Sequence, residues 1–495
     1  MLLENLIADL PEELSAPEAA LALDVSSITA DSRKAGPGAI FAALKGVKAD
    51  GADFAAAAAG AGAIAVLTGE DADLPALGVP IIRAADPRRA LSLLAARLAG
   101  AQPEALVAVT GTAGKTSVAV FARQIFDAAG FHAASIGTIG VVTSKGAHYG
   151  SLTTPDPVSL HATLAELARD GVTHAALEAS SHGLDQRRLD GVRIKAAAFT
   201  NLGRDHLDYH PTVEDYLQAK LRLFEELLPE GGTAVYDPGE AYTDRIAEIA
   251  KRRGLKTITV GETGADLKLV GLTIEGFHQR LTIEAEGRRF EVDLPLVGRF
   301  QVSNALIAAG LAMASGVSAD VAIAALSKLE GAPGRLELVG RTQAGALIFV
   351  DYAHKPDALD NALAALRPYA SGRLMVVVGC GGDRDKGKRP IMGEIATKRA
   401  DVVIITDDNP RSENPAEIRM AMMNAAPGAM EIGDRGIAIH AAVEMLKAGD
   451  VLCVAGKGHE TGQIVGDTVL PFSDHDAVAA ALADLAPNPL KETLG

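Results

Sequence analysis

The sequence predicts an α/β protein built on parallel sheets, and three observations carry that expectation. Apolar runs of strand length recur along the 495 residues, most of them closing on Gly, Asp or a small polar cluster, with helix-period segments between them. One run, Val107-Ala-Val-Thr110, breaks into Gly111-Thr112-Ala113-Gly114-Lys115-Thr116-Ser117 and then into an Ala/Val/Phe helical pattern. That is the strand, glycine turn and helix of a phosphate cradle, in which backbone N–H groups and a helix N-terminus face an anion. The length fits about three domains, and Gly100-Ala-Gln-Pro103 and Gly331-Ala-Pro-Gly334 are the candidate linkers, Gly100 and Gly334 the candidate hinges.

Composition narrows the function classes. No run of 18 apolar residues occurs, so no membrane span is expected. The opening Met1-Leu-Leu-Glu-Asn-Leu lacks the basic and long apolar regions of a signal peptide. A net charge of −16 argues against nucleic acid as the partner, so phosphate handling requires Lys and Arg gathered at a site. Cys380 and Cys453 lie in or just after apolar runs and read as core residues, which suits a cytoplasmic location.

Residues 1–102 are Ala-rich, with short apolar runs, Gly turns and a helical pattern over 54–61, and form a small N-terminal α/β domain. Residues 103–334 hold the phosphate loop and strands at 106–109, 175–177 and 196–199, the order of a parallel sheet. Residues 335–495 repeat the alternation with strands at 347–350, 374–378, 402–406 and 451–455. Ligands of such sheets sit at the carboxyl ends of strands, and the polar clusters fall there.

Lys115 adds a full charge to the cradle, and the Thr116 hydroxyl suits the Mg²⁺ that accompanies ATP. The general loop motif has Gly where Val109 stands, making this a short variant. Glu178, at a strand end, suits a second hard oxygen ligand. Asp205, His206, Asp208 and His210 form a polar cluster after the next strand, too dense for packing to explain. On the helix that follows, Thr212 is an N-cap with Asp215 three residues on, and Val213, Leu217, Leu221, Phe224 and Leu228 form a stripe. Lys220 sits at the stripe's edge. On this helix alone it reads as a snorkelling lysine; held near metal and phosphate, its neutral form could react with CO₂ to give a carbamate. In the last domain, Asp351 to Pro356, the Arg/Lys-rich loop with Arg384, Asp408-Asn409-Pro410-Arg411, and Gly456 to Glu460 each follow a strand. Arg411 offers a planar fork to a carboxylate, and Asp408 and Asn409 offer partners to an ammonium. The glycines at 379–382 lack dinucleotide-fingerprint spacing.

Taken together these residues resemble the Mur ligase family, ATP-dependent amino-acid-adding enzymes of peptidoglycan synthesis. The resemblance covers nearly the whole chain, through 31–33, 110–116, 153–155, 178–182, 201–206, 298–304, 334–335, 351–354 and 408–411. It implies a domain for the UDP end of the substrate, a central ATPase and a C-terminal Rossmann-like domain for the incoming amino acid. It further implies that Ser32, Thr153, Thr154, Ser180, Gln186 and Arg188 hold a UDP-muramoyl dipeptide. Lys115 and Thr116 would take ATP and Mg²⁺, with Glu178 and His206 on the metals and Lys220 carbamylated. Asn304, Arg335 and Asp351 would surround the nucleotide. Arg384, Asp408, Asn409, Pro410, Arg411, Gly456 and Glu460 would bind diaminopimelate, since Asp-Asn-Pro-Arg marks the members that add it and lysine-adding relatives lack the Arg. Ala113, Gln301 and Leu152 depart from usual family residues, and 46–51 matches the uridine-contact segment loosely.

The expected function is ligation, through an acyl phosphate, of small-molecule substrates by a monomer with neither nucleic acid nor membrane as partner. A folylpolyglutamate synthase-like ligase, a lysine-adding relative and a nucleotide-dependent switch are the alternatives.

Overall fold

A computed structural model describes residues 1–46, 49–148, 152–203, 205–206, 209–275 and 278–485. Asp208 of the polar cluster and residues 47–48 of the segment 46–51 lie outside the described residues. The chain forms two compact units, one of residues 1–271, 282–292 and 303–326, the other of 272–281, 293–302 and 327–495. It is a mixed α/β molecule rich in parallel sheet.

The first sheet comprises β1 (Leu14–Ser15), β2 (Ser27–Thr29), β3 (Ala39–Ala42), β4 (Ala65–Gly69) and β5 (Ile81–Ala84), in the order β1-β5-β4-β3-β2. All pair in parallel except β1. Helix α1 (Pro87–Ala99), capped by Asp86, closes its core with Leu91 and Leu94.

The second sheet carries β6 (Ala105–Thr110), β7 (Ala133–Gly137), β8 (Gly140–Thr143), β9 (Gly146–His148), β10 (His174–Glu178), β11 (Ile194–Phe199), β12 (Thr233–Tyr236), β13 (Lys256–Gly261), β14 (Leu267–Glu275), β15 (His278–Ala285) and β16 (Arg288–Leu294). Its order is β16-β15-β14-β13-β12-β11-β6-β10-β7-β8-β9. β6, β7, β10 and β12 are buried along their whole length, and β6 and β10 accordingly read as apolar runs rather than as alternations. The parallel neighbours β11, β6 and β10 bring Thr110, Phe199 and Glu178 to one edge.

The third sheet runs β17-β18-β22-β19-β20-β21, from β17 (Glu337–Arg341), β18 (Leu347–Asp351), β19 (Leu374–Val378), β20 (Val402–Ile405), β21 (Met430–Glu431) and β22 (Val451–Ala455). Only β17 is antiparallel. A hairpin of β23 (Gly462–Val465) and β24 (Thr468–Pro471) stands apart from it. Both cysteines are free and buried in this unit. No helix among the described residues is long and apolar enough to cross a membrane.

Candidate active site

In the first unit, β6 leads through the glycine turn into helix α2 (Lys115–Ala128). Gly114 caps that helix at φ +88°, where a side chain would be strained and its Cβ would overlap Asn304 Oδ1. The loop is braced from the strand beside it. Thr112 N donates to Asn201 O (2.9 Å), Ala113 N to Asn201 Oδ1 (3.0 Å) and Thr200 Oγ1 to Ala113 O (2.6 Å). Lys115 Nζ donates to the carbonyls of Gly111 (2.8 Å) and Thr112 (3.1 Å). Ser117 is buried in the first turn. Asn201 falls in the 201–206 stretch that resembles the family, but neither it nor Thr200 is legible in the sequence as a support of the loop.

Glu178 ends β10 one strand away. Its Oε2 accepts from Thr116 Oγ1 (3.1 Å) and Thr138 Oγ1 (3.2 Å), its Oε1 from Thr138 N (2.8 Å). Its carboxylate lies over Gly137, where any Cβ would overlap it. Two hard oxygen donors side by side at a phosphate loop fit Mg²⁺, which is bound by one or two carboxylates plus phosphate and water oxygens. Among the described residues no group of three or more His, Cys, Asp and Glu is arranged to hold a metal.

A hydrogen-bond network running out from Glu178 through Thr138 and Thr154 links five of the six residues expected at the dipeptide. Thr154 Oγ1 donates to Glu178 O (2.7 Å) and accepts from Ser180 N and Oγ (both 3.0 Å), while Thr153 Oγ1 pairs with Thr138 Oγ1 (3.0 Å). Arg188 donates to Thr154 O and Gln186 Oε1 (2.7 Å each), and Gln186 Nε2 to the Tyr209 hydroxyl (3.2 Å). Among the described residues Ser32 makes no hydrogen bond to this network. It sits in a short turn where Asp31 caps the chain and forks Arg33. His206, in the left-handed region at φ +54°, joins a ring cluster with His182 and Tyr216 and lies 3.4 Å from Asp205.

Helix α3 (Val213–Arg222) begins as expected, Thr212 Oγ1 accepting from Asp215 N at 3.1 Å. Its stripe needs correction at one end. Leu217, Leu221, Phe224 and Leu228 are buried, but Val213 in the first turn is 38% exposed, and a π-helical turn over Leu223–Leu227 shifts the later register. The snorkelling reading of Lys220 is also wrong: the side chain is 1% exposed. Nζ donates to Gly111 O (2.8 Å) and lies 4.2 Å from the Tyr216 ring centre. Burial, with repulsion from Lys115, drives its pKa well below the ordinary lysine value. Burial of this kind favours the neutral, nucleophilic form of the amine.

In the second unit, β20 delivers the 408–411 turn. Asp408 is buried; burial alone would raise its carboxyl, but Arg435 and Lys457 outweigh it and hold it below the ordinary range. Asn409 Nδ2 donates to Glu460 Oε2 (2.9 Å). Buried Pro410 leads to Arg411, which is held at φ +51° and donates through Nη1 to the carbonyls of Gly382 (2.9 Å) and Asn409 (3.3 Å). Among the described residues no carboxylate forms an ion pair with Arg411. Gly456, at φ +122°, passes beside Asp408, where a Cβ would lie 2.9 Å from Oδ2. Arg384 is not drawn into this network. It is exposed and donates to the carbonyl of its neighbour Asp383 (3.4 Å).

Asp351, at the end of β18, accepts from Leu336 N (2.6 Å) and Ala353 N (2.8 Å). Burial pushes its carboxyl up to about 6 against the pull of Arg335, whose guanidinium lies 4.6 Å from the Tyr352 ring centre. At Gly334, the candidate hinge, N donates to Glu337 Oε2 (2.6 Å) and O accepts from Tyr352 N (2.8 Å).

Comparison with known proteins bears on these features. Residues 24–98 match the Mur ligase family catalytic domain, 109–312 the Mur ligase middle domain and 334–458 the Mur ligase glutamate ligase domain. A UDP-N-acetylmuramoyl-L-alanyl-D-glutamate–2,6-diaminopimelate ligase of Mesorhizobium japonicum is 59% identical over 98% of this chain and 100% of its own length. A solved structure of a ligase of that name superposes with a TM-score of 0.72 at 33% identity, covering 99% of this chain and 100% of that one. A Mycobacterium tuberculosis folylpolyglutamate synthase complexed with ADP and AMPPCP shares the fold at a TM-score of 0.61 and 16% identity, covering 74% of this chain and 92% of that one. Similar to one member along nearly its whole length and matched by three of the family's domains in order, the chain belongs to the Mur ligase family.

Proposed function

We propose that this enzyme is the ATP-dependent ligase that adds meso-diaminopimelate to the D-glutamyl γ-carboxylate of UDP-N-acetylmuramoyl-L-alanyl-D-glutamate during peptidoglycan precursor synthesis. The γ-phosphoryl group of ATP passes to a γ-carboxylate oxygen, releasing ADP and leaving an acyl phosphate. The amine attacks the acyl carbon, loses a proton, and the C–O bond to phosphate breaks as the amide C–N bond forms.

The chain's part is positioning and charge neutralisation. Residues 111–117 cradle the phosphates, with Asn304, Arg335 and Asp351 around the nucleotide. Thr153, Thr154, Ser180, Gln186 and Arg188, with Ser32, orient the dipeptide. Mg²⁺ held by Thr116, Glu178, His206 and a carbamate on Lys220 would neutralise phosphate charge. Asp408, Asn409, Pro410, Arg411, Gly456 and Glu460, with Arg384, receive the amino acid. We place the work in the cytoplasm, in a monomer of three functional regions.

The observation that carries the choice of amino acid is the Arg411 guanidinium, spent only on carbonyls and so available to a second carboxylate. Incubating the purified enzyme with ATP, Mg²⁺, the UDP-linked dipeptide and diaminopimelate, lysine or glutamate tests it by the mass of the product. A tripeptide formed with diaminopimelate and far more slowly with lysine is expected. Equal use of lysine, transfer of glutamate to folate instead, or ATP spent without amide formation would each overturn the reading.

A further inference from the structure

Lys457 has no part in the roles just given, yet it is the most connected side chain beneath the 408–411 turn. It is 0% exposed. Its Nζ donates to Asn409 Oδ1 (2.9 Å) and Gly462 O (2.8 Å), and lies 3.4 Å from both Asp408 Oδ1 and Glu460 Oε2. Asn409 Oδ1 also accepts from Ile464 N (2.9 Å). Two donors converging on one amide atom require that atom to be the oxygen, so the amide cannot flip. Its Nδ2 is then directed at Glu460 Oε2.

The same lysine ties down the hairpin of β23 and β24, whose first strand starts at Gly462. That hairpin holds Arg411 like an added strand residue: Arg411 N donates to Ile464 O (3.0 Å) and Gly466 N to Arg411 O (2.8 Å). The charges balance accordingly. Arg435 is fully buried against Asp474, and it and Lys457 together offset Asp474 and Asp408. Glu460, with its side chain 32% exposed, is the carboxylate left over to meet an ammonium.

We propose that Lys457 is a positioning residue for amino-acid recognition, fixing Glu460 through the Asn409 amide and Arg411 through the hairpin so that both ends of a zwitterionic head group are met at once. This rests on the reading that the second unit receives the amino acid.

The test is steady-state kinetics with diaminopimelate and ATP varied separately, in wild type, Lys457→Met, Lys457→Arg and Asn409→Asp. Lys457→Met is expected to raise the KM for diaminopimelate at least about tenfold, with the KM for ATP within about twofold and partial recovery in Lys457→Arg. Asn409→Asp keeps the acceptor for Lys457 but sets a second carboxylate against Glu460. It is expected to raise the same KM and make it fall as pH is lowered, and it serves as the test should Lys457→Met fail to fold. An unchanged diaminopimelate KM in Asn409→Asp or in folded Lys457→Met, or a parallel rise in the KM for ATP, would overturn the proposal. A wild-type enzyme that ligates no diaminopimelate would instead sink the functional reading beneath it.

Discussion

At the scale of single residues, Lys220 and Arg411 carry the sharpest consequences. Lys220 combines near-complete burial, a depressed pKa and a bond to the phosphate-loop carbonyl of Gly111. A lysine so placed is a candidate for carbamylation, not a snorkelling side chain, and the expectation from the helix pattern failed because periodicity sees only a residue's own helix. With ¹³C-bicarbonate, a carbamate resonance should appear in the wild type and vanish in Lys220→Ala. That variant should lose most of its rate, and short carboxylic acids should restore part of it. A near-normal rate in Lys220→Ala would end the idea. For Arg411, truncation to Ala removes one charge-assisted contact and should cost about 2–4 kcal/mol in kcat/KM for diaminopimelate. Steady-state kinetics with diaminopimelate and lysine would show it, and an unchanged preference would defeat the assignment.

At the scale of elements, strands were legible where the sheet buries them on both faces. The runs at 374–378 and 451–455 match β19 and β22 residue for residue. Strand β7, Ala133-Ala-Ser-Ile-Gly137, was not legible, since it has neither alternation nor β-branched enrichment. With it went Thr138, which holds Glu178 from the next position. The phosphate loop was readable from its own residues, whereas its braces Thr200 and Asn201 come from the end of β11, a neighbour in the sheet but distant in the chain. The stretch Gly456 to Glu460 was legible as a strand-end cluster, but the role of Lys457 within it was not, because its bond to Asn409 joins residues far apart in the chain. The close approach of Gly137 to Glu178 yields an element-level prediction. Gly137→Ala fits the strand backbone but displaces the carboxylate from Thr116, so kcat should fall about 100-fold with little change in thermal unfolding. Unaltered kcat and Mg²⁺ dependence would show that Glu178 need not stand where it does.

At the scale of the whole molecule, the fold class and family were legible because motifs recur at strand ends across nearly the full length. Side-chain chemistry divides between the units. The first carries the phosphate loop, Glu178, Lys220 and the hydrogen-bond network around Thr154; the second carries the 408–411 turn and Glu460. A reaction that uses both needs a carboxylate activated in one and an amine delivered by the other, and an acyl phosphate is the intermediate that joins the two halves chemically. The most direct measurement follows ¹⁸O placed in the γ-carboxylate of the UDP-linked dipeptide during ligation. One labelled oxygen is expected in each inorganic phosphate released alongside tripeptide; unlabelled phosphate accompanying normal tripeptide formation would contradict phosphoryl transfer to the carboxylate and the division of labour built on it.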